Sequence, residues 1–315
     1  MIDGITLGAY AIEPAPEALA SREREWYEKL GAIDSAHGLE VPYRAGLHTT
    51  GAPGLAAVLP AHWHVVVTML PATMAGIRAD QRYGLASPDD DGRAAALGDV
   101  RAALAESHRL DELRGEQTVR AIHLTSAPRG TGDAGRLAAS LEGLAAEANA
   151  IELLIEHCDA WKAGEPVAKG FLSLDEETDA VLTARANTDA TLGQVINWGR
   201  SAIEGRSADE PVRHLAALQA AGTLAGLMFS GTAATASALG DPWADAHNPL
   251  DSVDPVSLLT TAAIAAALTD PVLSQLSVLG VKVQDPERSE NFDERLAALR
   301  TTNAAVVSRL REITS

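Results

Sequence analysis

Short apolar runs alternate with longer amphipathic ones along the chain. Residues 5–12 (ITLGAYAI) predict a strand, 22–30 a helix, and 33–43 (IDSAHGLEVPY) a short second strand ending near Glu40. Residues 63–70 (WHVVVTML) are β-branched and apolar, the composition of a buried strand. An Ala- and Leu-rich helix is predicted over 91–113 and a fourth strand over 118–125 (TVRAIHLT). A helix over 133–149 has Asp133 as its N-cap. The fifth strand falls at 151–155, the sixth at 194–198 and the seventh at 224–229, with a helix over 209–221 between the last two. Residues 253–268 predict a helix, 276–283 the eighth strand and 291–313 a closing amphipathic helix. Segments 45–60, 125–133 and 163–189 read as long excursions after their strands.

Eight strands, most followed by a helix, predict an α/β fold: a (β/α)8 TIM barrel, with residues 1–315 as one domain. A dinucleotide-binding fold is the rival. No strand leads directly into GxGxxG, because GTGDAG (130–135) lies too far beyond its strand, and no GxxxxGK[ST] is present. No nucleotide cofactor is expected.

Composition narrows the function classes. The 315 residues are 46% hydrophobic and carry 25 Lys and Arg against 43 Asp and Glu, a formal charge of -18. An acidic surface repels phosphate backbones and anionic membranes, so neither nucleic acid nor membrane is an expected partner. The single cysteine, Cys158, forms no intrachain disulfide. The start MIDGITLGAYAIEP lacks a basic region and a long apolar run, so a cytoplasmic protein is expected.

In a TIM barrel the chemistry sits at the C-terminal strand ends. That rule selects Tyr10, Glu40, Thr68, His123, Glu156, Asn197, Arg200, Ser230 and Lys282 or Gln284. Glu40 and Glu156 are the candidate catalytic pair: facing carboxylates share acid and base roles or hold a divalent cation. An apolar strand that runs IELLI and then ends in Glu156-His157-Cys158-Asp159 has reason to meet a polar site. Strand alternation turns His157 to the other side from Glu156, toward packing. INWGRSAIEG (196–205) offers Asn197, Trp198, Arg200 and Glu204, and DPWADAH (241–247) offers Trp243, Asp245 and His247. Indole, carboxylate and imidazole together suit polyol recognition. Arg200 suits a substrate anion or a pair with Glu204 at i+4, and Lys282 a substrate oxygen.

GLEVPY (38–43) and LLIEHCD (153–159) resemble strand-two and strand-five endings of the xylose-isomerase-like TIM barrels, the sugar phosphate isomerase and epimerase type. The strand pattern resembles that superfamily over nearly the whole chain, as an uncharacterised branch. The resemblance implies one divalent metal with Glu156 as first ligand. The pattern then departs: Asn197 stands near the usual Asp, Arg200 near the usual His, Phe229-Ser230 where strand seven carries His, and Lys282-Val283-Gln284 where strand eight carries Glu. The other metal ligands are left open, with Asp245 and His247 as replacements.

Three functions remain. One is a sugar or sugar-phosphate isomerase or epimerase, with Glu40 and Glu156 relaying a proton and a metal, or Arg200 and Lys282, stabilising an enediolate. The second is a metal-independent glycoside hydrolase or lyase, pairing Glu40 or Glu204 with Glu156. The third is a non-catalytic carbohydrate-binding barrel. All three take a small carbohydrate as partner, and each allows a homo-oligomer.

Overall fold

The computed structural model describes residues 4–314 and is a closed barrel of eight parallel strands. The strands are β1 (Ile5–Leu7), β2 (Ala36–Pro42), β3 (His64–Thr68), β4 (Val119–Leu124), β5 (Glu152–His157), β6 (Leu192–Asn197), β7 (Leu224–Phe229) and β8 (Val278–Val281). Each pairs with its sequence neighbours, and β1 closes against β8 through Thr6 and Leu7 opposite Gly280 and Val281. The (β/α)8 architecture read from the alternating pattern is the observed one.

Strand alternation sorts the two faces. Val66, Ala121, Leu154, Val195, Met228 and Val278 form one apolar cluster, the plug inside the barrel. Leu153, Ile155, Ile122 and Ile196 belong to the larger core that the helices cover. Counting two residues onward from the plug therefore names the inward groups at the mouth: His123, Glu156, Asn197 and Ser230, with Lys282 four beyond Val278. Thr6, inward on β1, bonds His64 across 2.9 Å.

Several elements differ from the pattern. β1 stops at Leu7, and residues Ala9–Ala11 form a 3-10 turn instead of more strand. At Gly8 an added Cβ would lie 2.6 Å from Lys282 Cβ and 2.8 Å from Glu40 Oε2, so the chain passes the site where only glycine fits. β5 runs to His157, two residues further than expected, because Glu156 and His157 continue the ladder with Val195 and Ile196. Within 253–268 only Thr261–Ala267 is α-helical. Asp254 there accepts from Asn248 Nδ2 at 2.7 Å, and Pro255 does not continue a helix, so the first half is a loop. Helices Gly51–Val58 and Leu174–Asn187 lie inside stretches expected to be loops. The second begins with a capping box, Ser173 with Glu176. Trp198–Gly205 is a further helix, capped by Asn197, whose Oδ1 accepts from Arg200 N. The closing helix divides into Phe292–Arg295 and Ala297–Thr314.

Candidate active site

Glu40 on β2, Glu156 on β5 and Lys282 just after β8 meet at the mouth, all buried. Lys282 Nζ donates to Glu40 Oε1 at 3.0 Å, to Glu156 Oε1 at 3.3 Å and to the Tyr10 hydroxyl at 3.3 Å. Asn197 Nδ2 donates to Glu156 Oε1 at 3.0 Å, and Arg200 Nη1 lies 2.8 Å from the same oxygen. Arg200 Nε reaches Asp245 Oδ2 at 3.2 Å, which also pairs with Lys169 Nζ at 3.0 Å. His247 lies 3.6 Å from the other oxygen of Asp245 and pairs with Ser230 Oγ at 2.6 Å. Glu40, Glu156 and Asp245 are thus balanced by Lys282, Arg200 and Lys169, as burial of charge requires.

The electrostatics follow from that balance. Burial opposes ionisation of Glu156, but Arg200 and Lys282 override it and hold its carboxyl far below the usual range. Burial likewise raises Glu40, and Lys282 together with the neighbouring His123 more than offsets it. Lys282 stays a firm ammonium: burial works against its charge, and Glu156 and Glu40 reverse the sign. The Tyr10 phenol is pushed up by burial and by Glu40, so it stays protonated. Burial pulls His247 down to about 4 despite Asp245.

Each carboxylate keeps one oxygen in reserve. Glu40 Oε2 and Glu156 Oε2 have no hydrogen-bond partner among the described residues, nor do Arg200 Nη2 and both ring nitrogens of His123. His123 Nδ1 lies 3.6 Å from Glu40 Oε1. A cavity of about 240 Å³ reaches this centre from the side, with Tyr10 and Glu40 in its wall. Trp26, Tyr27, Leu30 and Leu47 give it apolar walls. Its polar groups are mainly acidic: Glu13, Glu23 and Glu40 against Arg44 and His48.

Of the residues selected from sequence, Glu40, Glu156, Asn197, Arg200, Asp245, His247 and Lys282 converge. Trp198 packs in the main apolar core. Trp243 lies apart, with the Arg206 guanidinium 5.4 Å from its ring centroid. Arg200 does not pair with Glu204: it turns inward, while Glu204 sits outside the sheet with its Oε2 3.0 Å from His157 Nε2. Glu204 is therefore no partner for Glu156. Asp159 holds the loop after β5, accepting from Ala168 N at 2.6 Å and Lys169 N at 2.9 Å. That contact delivers Lys169 to the mouth. Lys169 had no sequence signal, lying mid-loop, whereas His123 was readable from its inward position on β4.

The metal implied by the sequence resemblance has a poor fit at the mouth. Ligand atoms of Glu40, His123 and Glu156 do come within 4.8 Å of one another. Yet Lys282 holds one oxygen of each carboxylate and Arg200 grips that of Glu156 as well, Asn197 presents its amide N–H, and Ser230 is committed to His247. A dication there would face two fixed positive charges within contact distance.

A family model described as "Domain of unknown function (DUF4862)" matches residues 6–298. The chain belongs to the DUF4862 family. A relative from Salmonella typhimurium strain LT2, "Uncharacterized protein STM3670", is 31% identical over 305 residues, covering 94% of each chain. Among solved structures, a putative xylose isomerase from Rhodospirillum rubrum superposes with a TM-score of 0.61 at 13% identity, covering 98% of this chain and 99% of that one. A sugar phosphate isomerase/epimerase from Parabacteroides distasonis gives 0.56 at 12% identity, with 98% and 96% covered. A D-allulose 3-epimerase from Methylomonas sp., in complex with D-allulose, gives 0.56 at 12%, with 99% and 98% covered. This DUF4862 chain thus has the xylose-isomerase-like TIM barrel fold. Among the described residues no helix is long and apolar enough to cross a membrane.

Proposed function

We propose that this DUF4862 protein is a sugar isomerase or epimerase that moves a proton with Glu40, beside an ionised Glu156, and stabilises the enediolate with Lys282 and Arg200. The observation that carries this reading is the shared ammonium. Lys282 holds one oxygen of each carboxylate and leaves the other oxygen of each without a partner among the described residues. A sugar carbonyl oxygen placed against Lys282 gains negative charge as the neighbouring C–H is broken, and the fixed cations stabilise that charge. Glu40 is the better base, because Lys282 alone is its close cation, whereas Glu156 is gripped by Lys282 and Arg200 together. As the ammonium shifts its hydrogen bonds to the substrate oxygen, its hold on Glu40 weakens and the carboxylate becomes more basic. Protonated Glu40 then returns the proton to the neighbouring carbon, while Glu156, kept ionised by Arg200 and Lys282, accepts a hydrogen bond from a substrate hydroxyl.

Pocket size and charge favour a small unphosphorylated sugar. The cavity is below the roughly 300 Å³ at which drug-sized pockets begin. Glu13, Glu23 and Glu40 outnumber Arg44 in its wall and disfavour a phosphate ester, and their oxygens suit sugar hydroxyls. The hydrolase reading is less well supported: Glu204 lies outside the barrel, and Glu40 shares one ammonium with Glu156, leaving little room for a glycosidic oxygen between them.

The test is solvent-deuterium incorporation into a panel of free pentoses and hexoses and their phosphate esters, followed by NMR. Exchange into a free sugar, lost in Glu40→Gln, is expected. Exchange confined to phosphate esters would overturn the substrate class. No exchange into any sugar, or a fully active Glu40→Gln, would overturn the reaction.

A further inference from the structure

His157 follows Glu156 on β5, so strand alternation sends it out of the barrel. There it meets groups from three helices: Glu177 from Leu174–Asn187, Glu204 from Trp198–Gly205, and Glu210 and His214 from Glu210–Ala221. The two imidazoles stand edge to face, with centroids 5.1 Å apart and planes at 79°. Each is oriented in the same way. His157 Nδ1 is fixed on Glu177 Oε2 at 2.7 Å, and His214 Nδ1 on Ser201 Oγ at 2.9 Å. Each Nε2 then faces a carboxylate: Glu204 Oε2 at 3.0 Å for His157, and Glu210 Oε1 at 3.2 Å for His214.

We propose that His157, Glu204 and His214 form a binding site for a divalent transition metal, best matched to zinc, on the outer wall of the barrel. Ligand atoms of these three residues all lie within 4.8 Å of one another, close enough to converge on a single ion. Two imidazoles and a carboxylate are a zinc donor set. The outer contacts fit as well: a carboxylate on the Nδ1 of one ligand histidine and a hydroxyl on the other fix the rings with Nε2 toward the ion. Glu177 is itself held by the Ser126 hydroxyl. Glu210 lies beside His214 but is paired with Arg213, so the fourth position is left to water. Glu204 and Glu210 side chains are 12% and 18% exposed, so an ion reaches the site from solvent. No lysine or arginine is inserted between the three donors, in contrast to the barrel mouth. Binding releases the proton shared between His157 Nε2 and Glu204, and His157 keeps its Nδ1 proton on Glu177.

The site would staple β5, which carries Glu156, to the two helices that follow β6. It is independent of the proposed reaction. The test is titration of chelator-stripped protein with zinc chloride by calorimetry, and with cobalt(II) by visible absorption. One equivalent is expected to bind, with cobalt bands of low-coordinate geometry and a rise of roughly 5 °C in Tm at saturating zinc. His214→Gln should weaken binding about 100-fold or more, and Glu177→Gln about 10- to 100-fold. Glu156→Gln should bind as wild type does. Absence of stoichiometric binding by folded wild-type protein overturns the proposal. So does binding that survives His214→Gln and disappears in Glu156→Gln, which would put the ion at the barrel mouth. Because the wild-type cobalt spectrum reads ligand geometry directly, the test stands even if one variant fails to fold.

Discussion

Replacing Lys282 with methionine keeps most of the side-chain volume and removes the charge at the centre of the site. At an effective dielectric of about 20, each contact, at 3.0 Å to Glu40 and 3.3 Å to Glu156, represents about 5 kcal/mol of gross Coulomb attraction. Desolvation of the ions cancels much of this, and breaking a buried pair from one side costs about 3–5 kcal/mol. Glu156 keeps Arg200 at 2.8 Å, so Glu40 becomes the orphan. In the wild type, Lys282 holds the Glu40 carboxyl below its usual value against the pull of burial. Its ionised form therefore stabilises the fold above the unfolded pKa, and this is lost as pH falls through the folded pKa. In Lys282→Met only His123 is left to oppose burial, and the folded pKa rises above the unfolded one. The protonated form is then the stable one, and stability is lost as pH rises from the unfolded pKa toward the new folded value. Urea denaturation at pH 5 and pH 8 should show a larger deficit for the variant at pH 8, on the order of 3–5 kcal/mol, shrinking toward pH 5. A deficit below about 1 kcal/mol, or one equal at both pH values, would refute the ion-pair geometry.

Gly8→Ala would push a methyl against Lys282 Cβ and Glu40 Oε2, and should lower turnover about 100-fold through displacement of those groups, with a loss of about 1–3 kcal/mol by urea melt. His247 is held neutral down to about 4 by burial. Since the unfolded chain takes up this proton near 6.5 and the folded one does not, stability should drop by on the order of 3 kcal/mol between those pH values. His247→Gln should flatten that part of the profile in a pH series of thermal melts.

The barrel was legible because buried parallel strands are short, apolar and regularly spaced, and because inward parity on them is strict. Glu156, Asn197 and Lys282 could be placed at the mouth from that rule alone. Missed elements were those whose signals are local or tertiary. The helix Leu174–Asn187 announces itself only through the Ser173–Glu176 box, and Trp198–Gly205 starts immediately where β6 ends. The helix expected over 253–268 failed because Asp254 and Pro255 favour turns, a preference that overrides the alanine-rich composition further on. Charge pairing was the least legible feature. The i+4 spacing of Arg200 and Glu204 suggested a partner, but their opposite orientations about the sheet give Arg200 to Glu156 and Asp245, and Glu204 to His157. Likewise Lys282 read as a group for a substrate oxygen, with no sign that its ammonium stands between the two carboxylates.

Exchange of sugar C–H protons with deuterated solvent, measured on wild type and Lys282→Met with excess chelator, tests most directly whether Lys282 and Arg200 supply the positive charge. The assay temperature is set where circular dichroism shows both proteins folded. Wild-type exchange should persist in chelator and fall about 10³-fold in Lys282→Met. Exchange that stops in chelator, returns with magnesium, manganese or cobalt, and survives Lys282→Met would contradict it.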